Sequence, residues 1–241
     1  DAERVPLDGG ILAPGFVDLQ VNGGGGALFN LTPDVPTIRT ICSAFAQFGT
    51  TATLPTFITD TRENGKLAIA AGIAAAEAGV TGFLGLHLEG PHLSVARKGA
   101  HDPGLIRPMD EDDLQRLVAA RQKLPHLLIT VAAETVTPAQ IARLSEAGIV
   151  VSIGHSDASY ETVRLAAEAG ATMATHLFNA QSQISNREPG VVGAVLDLGG
   201  LWSGLIADGI HVAAPSIGIA LRAKRGPGRI FLVTDAMSPT G

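Results

Sequence analysis

Residues 82–89 read GFLGLHLE, an apolar run that ends on a carboxylate, Glu89, just before Gly90-Pro91. A run of this composition is suited to burial on both faces, as strands of a parallel sheet are. A carboxylate at its end is costly there unless it is paired or ligated. The pattern recurs downstream: residues 149–156 (IVVSIGHS) lead to His155, 172–179 (TMATHLFN) to His176, and 229–236 (RIFLVTDA) to Asp235. Each run carries a metal-ligand or acid–base residue toward its C-terminal end, the face at which a parallel β/α barrel gathers its catalytic groups.

Four further runs complete the series: 11–20 (ILAPGFVDLQ), 50–57 (TTATLPTF), 127–134 (LLITVAAE) and 201–208 (LWSGLIAD). Helical signals stand between them. Thr137-Pro138 reads as an N-cap with a first-turn proline. Asp157 is the expected cap of the segment 159–170, and Gly49, Gly79, Gly148 and Gly170 are expected just past helix ends. Residues 111–125 place acids in the first turn and bases in the last, complementing a helix dipole. Eight βα alternations predict an α/β fold, a (β/α)8 TIM barrel over residues 11–241. Residues 1–10 read as the tail of a preceding segment, and the run of alternation stops after the eighth strand, as if the barrel were truncated.

The composition narrows the function. Of the 241 residues 46% are hydrophobic but only 4% aromatic, which predicts a core packed from Ala, Leu, Ile and Val. With a net charge of −6 and no basic run, nucleic acid is not the expected partner. No apolar stretch reaches the roughly 18 residues that cross a membrane. The single cysteine, Cys42, excludes an internal disulfide and fits a buried helix face; a reducing cytoplasm is the expected compartment. The long segment 93–108, after the third strand, has a length typical of functional loops.

Taken singly, Glu89 reads as a hydrogen-bonded buried acid, and His155 and His176 as satisfied core histidines. Taken together they form a three-ligand set with room for water, as in catalytic zinc sites. Glu-His-His suits zinc and iron alike. Asp235 could cap the turn at residues 236–239; opposite a metal it is placed to take a proton from water. His87 shares a strand side with Glu89, whereas His126 is expected at the surface.

The segments HLEGPH, ARKGAHDP, GHSDASYE, THLFNAQS, NREPG, ADGIHV and LVTDAM, in this order, resemble the N-acetylglucosamine-6-phosphate deacetylases of the amidohydrolase superfamily. The resemblance implies a barrel with a small flanking β-sandwich, of which residues 1–10 would be a remnant. It implies one divalent metal ion per chain (zinc first, otherwise iron, cobalt or manganese) on Glu89, His155 and His176, with Asp235 as catalytic acid/base. His101 and His211 match substrate-contacting histidines. Ala100, Asn179, Ala180, Arg187 and the turn from Asp208 to His211 match substrate-binding positions. Arg187 would reach the substrate of a neighbouring subunit, implying a homodimer acting on an amino-sugar phosphate. Where many amidohydrolases carry His-x-His for a second metal, this chain has Gln20 and Asn22; amides are poor ligands beside imidazole. The expected reaction is hydrolysis of the acetamide of N-acetylglucosamine 6-phosphate. A deacetylase for a different N-acetyl sugar phosphate, or a non-catalytic sugar-phosphate-binding barrel, are the alternatives.

Overall fold

The computed structural model describes residues 5–6 and 9–241. The expectation for residues 1–10 falls mostly on positions 1–4 and 7–8, which lie outside the described residues. All eight apolar runs form parallel strands. In chain order these are β1 (Phe16–Val21), β4 (Thr50–Ile58), β5 (Leu86–Glu89), β6 (Leu127–Val131), β7 (Val150–Ile153), β8 (Met173–Ala174), β9 (Trp202–Leu205) and β10 (Ile230–Leu232). They neighbour one another in that sequence, as a (β/α)8 barrel requires. A short antiparallel pair, β2 (Gly23–Gly24) with β3 (Ala27–Leu28), follows β1.

The first and last strands meet only at one end. Val21 bridges Ala236, and the Asp235 amide donates to the Gln20 carbonyl at 3.0 Å. Lower down, the buried Asp18 carboxylate accepts from the Thr234 amide at 3.3 Å through each oxygen. The outer faces of these two strands are open: Phe16, Val17 and Leu232 are exposed.

The helices are α1 (Val35–Ala46), α2 (Arg62–Glu77), α3 (Glu111–Arg121), α4 (Pro138–Glu146), α5 (Tyr160–Glu168), α6 (Gly190–Asp197) and α7 (Ala214–Ala223). Local chemistry sets their starts. Thr137 and Gln140 make a reciprocal capping box at α4, and Asp110 and Asp113 make another at α3. The cap of α5 is Ser159, accepting from the Thr162 amide. Asp157, the expected cap, instead pairs with Arg97 at 2.8 Å. Gly49, Gly79, Gly148 and Gly170 all adopt positive φ past helix ends.

Between strands and helices the core is aliphatic, with Ile38, Ile41, Leu86, Leu114, Leu127, Ile129, Ile141 and Leu144 fully buried. The barrel interior differs from the aliphatic expectation. His87 bonds Thr130 (Nε2···Oγ1 2.7 Å) and Thr56 (Nδ1···Oγ1 3.3 Å). Thr130 and Ser152 each lie 2.7 Å from the Thr175 hydroxyl. Hydroxyl partners satisfy one another there, so a polar layer survives burial. Burial pushes the His87 imidazole down to about 4, which keeps it neutral.

Candidate metal centre

Glu89 is the last residue of β5 and is buried. His155 and His176 each stand two residues beyond their strands, β7 and β8, and Asp235 stands three beyond β10. All three adopt left-handed backbone, with φ of 47°, 33° and 51°. Non-glycine residues in that region cost of order 1–3 kcal/mol each and cluster at functional sites. The conformation turns each chain sharply at the barrel mouth. Gly154 permits the turn into His155: a Cβ there would lie 2.8 Å from Thr130 Cγ2 and 2.8 Å from Thr175 Cβ.

The three side chains converge. His155 Nε2 and His176 Nε2 are each 3.1 Å from Glu89 Oε1 and 3.1 Å from each other. Tetrahedral ligands about 2.0–2.1 Å from zinc are separated by about 3.3 Å, so the donor set fits a divalent ion. The tautomer of His155 agrees. Its Nδ1 lies 2.9 Å from the Arg97 carbonyl oxygen, so it carries the hydrogen and leaves the Nε2 lone pair facing the other ligands. Burial opposes ionisation of Glu89, but the two imidazoles beside it hold it well below the usual carboxylate range. His176 is pushed down by burial yet ends raised, through its bond to Glu89.

Asp235 stays outside this triad. Its Oδ1 accepts from Asn22 Nδ2 at 2.7 Å. Burial first, and then the Glu89 charge, push its carboxyl up to about 6. His101 arrives from the loop 93–108, its Nδ1 against the Thr59 amide (3.3 Å) and hydroxyl (2.7 Å). The amide can only donate, so Nδ1 is the acceptor and Nε2 bears the hydrogen. Burial, then the neighbouring His155, lower His101 to about 4.

A cavity of about 560 Å³ joins these groups. Glu89, His155, His176 and Asp235 line it together with Ala100, His101, Asn179, Ala180 and His211. Asp208 does not line it. Its carboxylate accepts from the Ile210 and His211 amides and from His211 Nδ1, and so sets the orientation of His211. Arg187 is exposed and also outside the lining. Glu188, its neighbour in sequence, accepts from the Tyr160 and Gly190 amides instead of pairing with it. His126 is exposed and Cys42 buried in α1, as expected.

In the sequence Gln20 and Asn22 stand out only as amides in place of metal-binding histidines, and nothing local marks Thr59. The first two lie two apart at the end of β1, both buried. That spacing marked them as facing one side.

The amidohydrolase family profile matches residues 11–230. An N-acetylgalactosamine-6-phosphate deacetylase of Shewanella is 48% identical over 241 residues, covering 100% of this chain and 60% of that protein. An N-acetylglucosamine-6-phosphate deacetylase of Haemophilus influenzae is 40% identical over 240 residues, covering 99% and 62%. The crystal structure of the Pasteurella multocida N-acetylglucosamine-6-phosphate deacetylase superposes with a TM-score of 0.88 at 41% identity, covering 93% of this chain and 58% of that one. The chain thus spans about 60% of the length of the curated relatives it matches.

Proposed function

This chain belongs to the amidohydrolase family, and we propose that its protein hydrolyses the acetamide of N-acetylglucosamine 6-phosphate to glucosamine 6-phosphate and acetate. One observation carries the reading. A three-residue metal cradle and a separate, partly buried carboxylate, Asp235, face one cavity. Binding a sugar phosphate needs no such carboxylate, which disfavours a non-catalytic barrel.

When bound at Glu89, His155 and His176, a divalent ion supplies Lewis-acid activation of water and of the amide carbonyl. Zinc is the proposed ion, with iron, cobalt or manganese as substitutes. His101 donates its Nε2 hydrogen to the carbonyl oxygen and stabilises the charge that develops there. Asp235 takes the proton of the attacking water through Oδ2, since Oδ1 is engaged by Asn22. It then delivers that proton to the nitrogen, because an amine cannot depart as an anion. Ala100, Asn179, Ala180 and His211 surround the sugar, with Asp208 acting through His211. Arg187, outside this chain's own cavity, serves the phosphate bound by a neighbouring copy. That arrangement calls for a homodimer, and the reading places the protein in the cytoplasm.

A second reading, the galacto epimer as substrate, is favoured by the 48% identity to the Shewanella protein. Acetate release from each 6-phosphate, measured with metal content on one preparation, tests both. Release from neither epimer by metal-loaded protein would overturn the proposal.

A further inference from the structure

We propose that Gln20 and Asn22, the two amides at the end of β1, are the positioning residues of the hydrolytic site, Gln20 holding Glu89 and Asn22 holding Asp235. The role of Asn22 rests on the proposed function of Asp235 as acid/base.

Gln20 and Asn22 are 2% and 6% exposed, and their spacing puts both on one side of the strand. Gln20 Nε2 is 3.2 Å from each carboxylate oxygen of Glu89. A donor centred on both oxygens fixes the rotation of the carboxylate, and so the direction of the lone pairs offered to a cation. Asn22 Nδ2 is 2.7 Å from Asp235 Oδ1. Reversing that amide would set its oxygen against a carboxylate, so charge alone dictates which end faces Asp235.

The main chain reinforces the grip. The Asp235 amide donates to the Gln20 carbonyl at 3.0 Å, and the Asn22 amide donates to the Ala236 carbonyl at 2.9 Å. These contacts hold Asp235 in its left-handed backbone, at φ 51°. The closure of the barrel and the placing of the base are therefore one set of bonds.

An amide kept only for packing would have both ends satisfied. Asn22 Oδ1 is buried without a hydrogen-bond partner, and Asn22 lines the cavity beside Glu89, His176 and Asp235. A bare buried acceptor is penalised, and an apolar side chain of similar size would avoid that penalty. The cost is explained if this oxygen meets a hydrogen of water or of the leaving amine during turnover.

The test uses the zinc-loaded protein and the variants Asn22→Leu, Asn22→Asp and Gln20→Leu. Both Asn22 variants should lose kcat by at least about tenfold with KM little changed, since only the transition state needs the base in place. Asn22→Asp keeps the shape, so its loss is not a packing defect. In both, the solvent deuterium isotope effect on kcat should exceed that of the unchanged protein, because proton transfer becomes more limiting. Gln20→Leu should hold zinc about 10–100-fold more weakly in competition with a chromogenic chelator, a readout that needs no turnover. Unchanged kcat in Asn22→Asp, or a lower kcat with an unchanged isotope effect, overturns the role of Asn22. Unchanged zinc affinity in Gln20→Leu overturns the role of Gln20. If Asn22→Asp does not fold, Asn22→Leu decides by the same two readouts. If the unchanged protein releases no acetate, the functional reading fails instead, and the zinc competition still decides for Gln20.

Discussion

The Nδ1 atom of His155 lies 2.9 Å from the carbonyl oxygen of Arg97, so a residue of the loop 93–108 sets the tautomer of a side chain just beyond β7. The same loop delivers His101 to the cavity, and Arg97 also pairs with Asp157, two residues past His155. Loop and cradle are thus joined at two points, through His155 and through Asp157.

Metal content is the first consequence. Elemental analysis should find about one tightly bound divalent ion per chain, since Gln20 and Asn22 provide amides where a second ion would need imidazoles. Chelation should lower Tm by linkage and speed amide hydrogen exchange across residues 93–108. Two tight ions per chain, or unchanged exchange in that loop after chelation, would contradict this.

Asp235→Asn keeps shape and removes the proposed base. Turnover should fall by roughly 10²–10⁴-fold with zinc content and KM nearly unchanged. A variant that turns over normally would move the acid/base role to another residue.

Asp113 should contribute to acid stability. Burial opposes its charge, but hydrogen bonds from Arg107 and Arg116 hold its carboxyl well below the usual aspartate range, and Arg62 joins them at 3.0 Å. A depressed folded value means that its contribution is complete above the ordinary value of 3.8 and is lost as pH falls through the folded one. Asp113→Asn should cost about 1–3 kcal/mol at pH 7, because its arginine partners are partly solvated. The variant's stability should also decline less steeply than that of the unchanged protein as the pH drops below the ordinary aspartate value. Urea unfolding under neutral and acidic conditions checks the sign.

On the proposed function, Arg187 would separate phosphate recognition from sugar recognition. Arg187→Ala should lower kcat/KM for the phosphorylated substrate by about 2–3 kcal/mol, and should hardly alter the unphosphorylated sugar. Equal losses on both would make it a structural residue.

The barrel was legible because burial on both faces leaves an unbroken apolar run, and eight such runs with caps between them admit few arrangements. Glu89, His155, His176 and Asp235 were legible because polar residues at the ends of such runs need a reason. Contacts between runs were not. Nothing local to Gln20 or Asn22 says that they face Glu89 and Asp235, which lie 69 and 213 residues away. The polar layer of His87, Thr130, Ser152 and Thr175 was likewise hidden, because threonine and serine in a strand look alike whether they face a helix or the barrel axis. Asp157 misled for a related reason: both it and Ser159 can cap a helix, and the partner that draws Asp157 away, Arg97, lies 60 residues earlier.

The left-handed backbone at His155, His176 and Asp235 bears on protein engineering. These residues cannot be transplanted onto another eight-stranded barrel as side chains alone, because a host loop in ordinary β or helical geometry would aim the same imidazoles and carboxylate elsewhere. The unit to be copied is the turn with its residue. Beta-branched replacements at these three positions would be penalised twice, once by the lost functional group and once by the backbone.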